Sequence, residues 1–146
     1  MTSVKPRVPA DEVQVALLMG LLFREIHLVF DAEDWNGLRQ SHFRVISDVP
    51  EAGISITELA QRLGMTKQGC GQFVNQLVEA GQLRVEADPA DARVRLVRRT
   101  PEGNRTLAAV TDRMLRIEED WAERVGERRY RTFRAVLEEL ALAHPD

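Results

Sequence analysis

The chain has 146 residues, of which 44% are hydrophobic and 29% charged, and its net charge is −3. This length allows one ordinary domain with a real core, and the composition is that of a globular protein rather than a disordered one. The single cysteine, Cys70, excludes an intramolecular disulfide and favours a reducing, cytoplasmic location. The first residues lack the apolar stretch of a secretory signal, and charged residues interrupt the apolar run 15–30, so we expect neither export nor membrane insertion.

A long helix is predicted to begin at Asp11 and Glu12, after a proline-containing mobile arm over residues 1–10. Apolar residues recur through residues 13–30 at helical spacing, and they cover more than one face of the helix. A helix that is apolar nearly all round must be buried on more than one side. In a chain this short a second subunit is the readiest source of that surface, so the sequence predicts a homodimer.

Three shorter helices follow in the sequence. We expect Ser41 to be the N-cap of the first, Thr57 the N-cap of the second and Thr66 the N-cap of the third. Gly64 should end the second helix and Gly81 the third, because glycine readily adopts the left-handed conformation that closes a helix.

After residue 82 the period of the sequence changes from helical to about two, which indicates a β-hairpin with its loop over Asp88–Asp91. Thr100–Gly103, with proline at the first helical position, predicts the start of a long helix to about Val125. A last helix is expected over residues 127–143. The alternating apolar residues of the hairpin are Leu83, Val85, Val94 and Leu96.

These elements predict a mainly α (α+β) fold in a single domain, residues 1–146. A winged helix-turn-helix over residues 38–103 would be embedded in a helical dimerisation frame, formed by N- and C-terminal helices at residues 1–34 and 104–146.

The segment from Ile56 to Gln68 has the pattern of a DNA-binding helix-turn-helix, and its second helix has a distinct inner and outer face. Cys70, Val74 and Leu77 are spaced to point inward. Residues 55–100 carry seven basic and five acidic side chains, a local charge of +2 in an acidic chain. Amide side chains can pair with adenine in the major groove, and a lysine with guanine or phosphate. The outer face, a candidate for contact with duplex DNA, consists of Thr66, Lys67, Gln68, Gly71, Gln72 and Asn75.

The stretch from Ile56 to Gly103 resembles the MarR (multiple antibiotic resistance regulator) family of winged-helix repressors. The resemblance rests on Thr57–Gln68, Leu77–Gly81, Asp88–Arg93 and Thr100–Gly103. It implies a transcription regulator, expected to be a repressor, that binds a palindromic operator as a homodimer. It also implies that the second helix enters the major groove.

By the same resemblance, Arg93 of the hairpin reaches the minor groove and Asp91 holds it in place. Arg95, on the same hairpin, is also expected to bind DNA. A narrow minor groove attracts an inserted guanidinium, which makes this role physically sensible. An exposed ion pair on an ordinary hairpin would look the same in the sequence.

Two features depart from the family pattern. Gly69 and Gly71 both lie inside the predicted recognition helix, where each glycine costs about 1 kcal/mol relative to alanine. The family usually has a side chain at Gly71, so we expect base readout to shift to Gln68 and Gln72. Arg99 stands where a strand leucine is more usual, and we expect it to point outward towards phosphate.

A cluster of aromatic and imidazole groups surrounds the first helix and the junction after it. In the family, aromatic effectors can bind between the helical frame and the winged domain. Two interpretations stay open: ordinary core packing, and a site for a small aromatic effector that releases DNA. The cluster consists of Phe23, His27, Phe30, Trp35, His42 and Phe43.

The sequence also bears on classes of function other than DNA binding. No catalytic arrangement, phosphate loop or metal-ligand spacing emerges, so we expect no enzyme, no cofactor and no metal site. Two alternatives stay open: a winged helix used for protein–protein contact without its own operator, and a regulator in which Cys70 senses oxidants. A cysteine on the inner face of a helix is more often a small hydrophobe.

Overall fold

The computed structural model describes residues 14–143, and the predicted arm and helix start at residues 1–12 lie outside this range. The chain forms two compact units, one ending at Gln40 and the other beginning at Ser41. Within residues 14–143 no helix combines the length and the hydropathy that a membrane span requires.

The first unit is built on one helix, α1 (Val15–Asp31). Trp35 folds back on the end of this helix: its indole Nε1 donates to the carbonyl of Phe30 over 3.1 Å, and the two rings lie 5.4 Å apart. The indole is thus a second donor to the Phe30 carbonyl, which also accepts the Glu33 N–H over 3.2 Å at the C-terminus of α1.

Three helices open the second unit: α2 (Gln40–Asp48), α3 (Ile56–Leu63) and α4 (Lys67–Glu79). Thr66 is the N-cap of α4, as predicted, because its hydroxyl accepts the Gly69 N–H over 3.0 Å. Gly64 ends α3 in the left-handed conformation, with φ of 63°.

Two helix starts were predicted wrongly. Helix α2 begins at Gln40, so Ser41 lies within its first turn rather than at its N-cap. The N-cap of α3 is Ser55, whose hydroxyl accepts the Glu58 N–H over 3.2 Å, and not Thr57. A serine and a threonine two residues apart are equally good local caps.

Three antiparallel strands form the sheet: β1 (Ile54–Ser55), β2 (Leu83–Ala87) and β3 (Arg95–Arg99), in the order β1-β3-β2. The hairpin β2–β3 is confirmed, with Val85 opposite Val97. Its loop is longer than predicted, because Val94 donates to the carbonyl of Asp91 and precedes the strand. β1 was not predicted: it pairs Ile54 with Val97, across a wide gap in the sequence.

Two helices complete the second unit: α5 (Pro101–Val125), with Thr100 as its N-cap, and α6 (Glu127–Leu142). The start of α5 packs tightly on the start of β2. The Thr100 N–H donates to the carbonyl of Gln82 over 3.1 Å, and the Thr100 hydroxyl donates to the carbonyl of Gly81. A Cβ on Gly103 would collide with the Gln82 carbonyl oxygen. Glycine at this position therefore allows α5 and β2 to meet.

The core of the second unit holds together the helix-turn-helix and the sheet. Ala60 and Leu63 of α3 are buried, as are three residues of α4. The small Ala60 side chain permits close approach of the two helices, as expected. The fully buried side chains of this core are Ile46, Val49, Leu59, Cys70, Val74, Leu77, Leu83 and Val97.

Candidate nucleic-acid interface

Helix α4 has the two faces that the sequence predicted. Cys70, Val74 and Leu77 are completely buried. On the other side of the helix, polar side chains project into solvent without an acidic residue before Glu79. The exposed residues of this recognition face are Thr66, Lys67, Gln68, Gln72 and Asn75, with Gly71 partly exposed among them. Thr66 already uses its hydroxyl oxygen as the helix cap.

The hairpin loop, residues 88–94, forms a wing that is held by side-chain-to-backbone hydrogen bonds. The Asp88 carboxylate accepts the Ala90 N–H over 2.9 Å, and the Asp91 carboxylate accepts the Arg93 N–H over 3.0 Å. Asp91 also lies 3.8 Å from the Arg93 guanidinium, whose side chain is 95% exposed. The aspartates fix the backbone of the wing while the Arg93 side chain stays accessible. Arg95 begins β3 and is exposed as well.

Arg99 does not point outward towards phosphate, so that prediction was wrong. Its guanidinium donates to the carbonyls of Val49 and Ile46 at the end of α2, and its Nε donates to Asn104 Oδ1 over 2.8 Å. A cation at the C-terminus of a helix satisfies free carbonyls and complements the helix dipole. Helix α2 has no basic residue of its own in its last turn, and Arg99 supplies that charge from β3.

The other face of the hairpin carries an ion-pair network that the sequence did not predict. The Glu86 carboxylate pairs with Arg98 and lies 3.5 Å from the Arg84 guanidinium. Arg98 also donates to the carbonyl of Glu51 over 3.2 Å. The alternation of charges along β2 and β3 was the available signal for this network. One carboxylate thereby neutralises part of the positive charge of the hairpin, and Arg93 stands apart from this network at the tip of the wing.

Cys70 lies on the buried face of α4, with 0% of its surface exposed. Burial raises the pKa of its thiol above the usual value, which disfavours the reactive thiolate. These are the features of a small core residue.

Tyr130, the only tyrosine of the chain, links helices α5 and α6. Its hydroxyl donates to Glu118 Oε1 over 2.6 Å, and Arg134 donates to the same oxygen over 2.9 Å. Burial, followed by the hydrogen bond to Glu118 and its negative charge, raises the pKa of Tyr130 to about 12. The network fixes the angle of the helical hairpin that follows the wing.

The candidate effector residues divide between the two units. In the first unit Phe23 and His27 are exposed, whereas Phe30 is buried against Trp35. In the second, Phe43 belongs to the core.

His42 contacts the recognition helix directly. Its Nε2 is 3.3 Å from Gln76 Oε1, and its ring meets that of Phe73 edge-on, with centroids 5.8 Å apart. Within residues 14–143 no three His, Cys, Asp or Glu side chains are grouped to hold a metal ion.

Comparison with known proteins shows which proteins this chain is similar to. The MarR family model matches residues 37–94, which include α2, the helix-turn-helix, and the first strand and loop of the hairpin. An uncharacterized protein of Mycobacterium tuberculosis is 28% identical over 137 residues, which are 94% of this chain and 92% of that protein.

Solved structures of MarR-type regulators have the same fold. The reduced form of MarR from E. coli aligns with a TM-score of 0.75 at 16% identity, covering 88% of this chain and 97% of that one. CouR from Rhodococcus jostii, bound to p-coumaroyl-CoA, aligns with a TM-score of 0.67 at 20% identity, covering 90% and 91% of the two chains. The fold is therefore a winged helix-turn-helix with helical termini, as the sequence predicted.

Proposed function

From the match of residues 37–94 to the MarR family model, we propose that this protein binds a palindromic operator as a homodimer and represses transcription. The observation that carries the proposal is the recognition face of α4, which is exposed and free of acidic residues up to Glu79 and belongs to the same fold as the wing. In the proposed arrangement residues 38–103 bind DNA, and residues 1–34 and 104–146 form the dimer.

The proposed division of labour on DNA follows from the chemistry of each side chain. Gln68 and Gln72 have exposed amides that can pair with adenine in the major groove. Lys67 is suited to a phosphate. Arg93, pre-oriented by Asp91, is suited to a narrow minor groove at A·T-rich flanks.

The test begins with selection of bound duplexes from random DNA, followed by titration of variants against single-base substitutions of the selected operator. Gln68→Ala or Gln72→Ala should relax base preference at one or two positions, by about 1–3 kcal/mol each. Lys67→Ala should weaken all sequences evenly and reduce the salt slope by about one unit. If both glutamine variants keep the base profile of the wild type, α4 does not read sequence.

The wing is tested separately. Arg93→Ala should weaken binding most at A·T-rich flanks, and Asp91→Ala should do so to a smaller extent because the loop loses its bond to the Arg93 N–H. Arg116→Ala is the matched control, since Arg116 is also an exposed arginine paired with an aspartate, but it lies on α5. A chain that selects no duplex at all would instead support the protein–protein module.

The dimer proposal rests on apolar side chains that stay exposed in the isolated chain. Leu28 of α1 is 62% exposed and Leu140 of α6 is 69% exposed, and several apolar neighbours on each helix are also exposed. Monomeric proteins rarely expose apolar patches of more than a few hundred Å². We expect a homodimer at micromolar concentration by sedimentation, and Leu140→Glu should shift it towards monomer. A well-behaved wild-type monomer would contradict the proposal.

We also propose that a small aromatic effector binds this protein and releases it from DNA. CouR, of the same fold, binds p-coumaroyl-CoA in its solved structure. In this chain His42 contacts Phe73 and Gln76 of α4, so a ligand that displaces His42 would disturb the recognition helix. An effector must bind the DNA-incompetent state more tightly than the competent one.

Aromatic acids should be screened for release of the operator and for a change in thermal stability. His42→Ala should then reduce the release without abolishing operator binding. If no compound alters either property, the aromatic cluster is ordinary core.

A further inference from the structure

The recognition helix contains two glycines, Gly69 and Gly71, and contacts within the protein account for a glycine at only one of these positions. A Cβ on Gly69 would lie 3.0 Å from the hydroxyl oxygen of Thr66, the N-cap of α4. A side chain there would press on the cap that starts the helix. Glycine at position 69 therefore relieves a tight contact within the protein.

Gly71 has no such reason. Its backbone is not among those with positive φ, and no atom lies within 4 Å of the position that a Cβ would occupy. Alanine would fit without a clash and would be the better helix former. A helix of 13 residues thus carries a destabilising residue at an open position on its recognition face.

The surroundings of Gly71 indicate what the missing side chain leaves room for. On a helix, Lys67 and Asn75 are its neighbours one turn before and one turn after, and Gln68 adjoins it on the same side. Gly71 is therefore a dent one residue wide, bordered by long polar side chains. Its own N–H is committed to the helical hydrogen bond, so the floor of the dent offers a partner an apolar Cα surface and no donor.

We propose that Gly71 admits the methyl edge of a thymine and allows the backbone of α4 to approach the major-groove floor. This inference rests on the proposed DNA-binding function. The apolar floor suits the C5-methyl group, which alone among the groups on the major-groove edges is a hydrocarbon. Gln68 and Asn75 would then reach the adjoining base edges from either side of the dent. Gly71 acts as a specificity determinant through the close approach that it permits.

The experiment combines Gly71→Ala with operators in which deoxyuridine replaces thymidine, one symmetric pair of positions at a time. The wild type should lose affinity at one such pair. A buried methyl group is worth about fourfold in affinity, so loss at both half-sites should cost about 15-fold. Uracil placed outside the half-sites is the matched control and should have no effect.

Gly71→Ala should bind the thymine operator at least about 15-fold more weakly than the wild type, and it should no longer distinguish thymine from uracil at that pair. Its melting temperature should nevertheless rise by about 3 °C, because alanine stabilises the helix. A Gly71→Ala variant that is more stable but binds the operator more weakly would separate a role in DNA binding from a structural role, because replacing a structural glycine would lower the stability.

Three results would overturn the inference while leaving the proposed function intact. These are unchanged operator affinity of Gly71→Ala, a lower melting temperature of that variant, and a wild type that does not sense uracil at any position of the half-sites. Failure of the wild type to bind any duplex would refute the proposed function itself.

Discussion

Gly103→Ala should destabilise the protein more than any other glycine substitution in its described part. Gly103 lies in the first turn of α5, where the helix meets the start of β2. A Cβ on this residue would overlap the carbonyl oxygen of Gln82 and lie 3.1 Å from its carbonyl carbon. Gln82 is only 4% exposed, so neither partner can move into solvent.

The expected loss of stability follows from the contacts that must break to relieve the overlap between the new Cβ and the Gln82 carbonyl. Overpacking of a tight contact costs about 1–3 kcal/mol. If α5 retreats instead, the 3.1 Å bond from Thr100 to Gln82 is lost, together with part of the Thr100 cap, at about 1 kcal/mol each. The helix propensity of alanine returns at most about 1 kcal/mol. The free energy of unfolding should therefore fall by about 2 kcal/mol, and by no more than about 3 kcal/mol.

Urea denaturation of a series of glycine variants measures this. Gly64→Ala is the control for backbone strain, because Gly64 has φ of 63° and no atom within 4 Å of its Cβ position. It should cost about 1 kcal/mol, the usual penalty for the left-handed conformation. If Gly103→Ala costs no more than Gly64→Ala, α5 and β2 do not approach as closely as described, and the reasoning fails.

Three further predictions concern single side chains. Arg99→Leu should lower the free energy of unfolding by about 1–2 kcal/mol in urea, because the α2 carbonyls lose their charged donor, and an unchanged value would contradict this role. The phenolate absorbance of Tyr130, the only tyrosine, should titrate with a midpoint of about 12 in the folded protein. Since this pKa is raised on folding, the stability that Tyr130 contributes is present below the unfolded pKa and is lost as pH rises towards 12. Glu118→Gln should lower the midpoint, and an unchanged midpoint would contradict the link between Tyr130 and Glu118. Cys70 should react with a thiol reagent only after unfolding, because its thiol is buried. Rapid reaction of the native protein would instead support a role for Cys70 in sensing oxidants.

Features that depend on neighbours in the chain could be predicted from the sequence. Thr66 and Thr100 cap their helices through backbone N–H groups three residues away, and Gly64 closes α3 locally. The inward residues of α4 follow from helical periodicity alone. The wing turn, in which Asp91 holds the Arg93 N–H, is equally local. These interactions are close in sequence, so their residue types carry the signal.

Features that depend on distant partners were decided by the tertiary structure. The choice of Ser55 over Thr57 as the cap of α3 goes with β1, a strand formed by the pairing of Ile54 with Val97 and of Ser55 with Leu96. Arg99 turns inward because the end of α2, some 50 residues earlier in the chain, presents free carbonyls to it.

The same reason separates Gly103 of α5 from Gly71 of α4. That Gly103 lies against Gln82, whereas Gly71 faces open space, is invisible in the one-dimensional pattern, in which both are glycines near the start of a helix. A local pattern determines which helices form and which faces they bury, because those choices involve residues within a turn or two. The position of one element against another depends on contacts between residues far apart in sequence, and for that reason only the folded chain decided it.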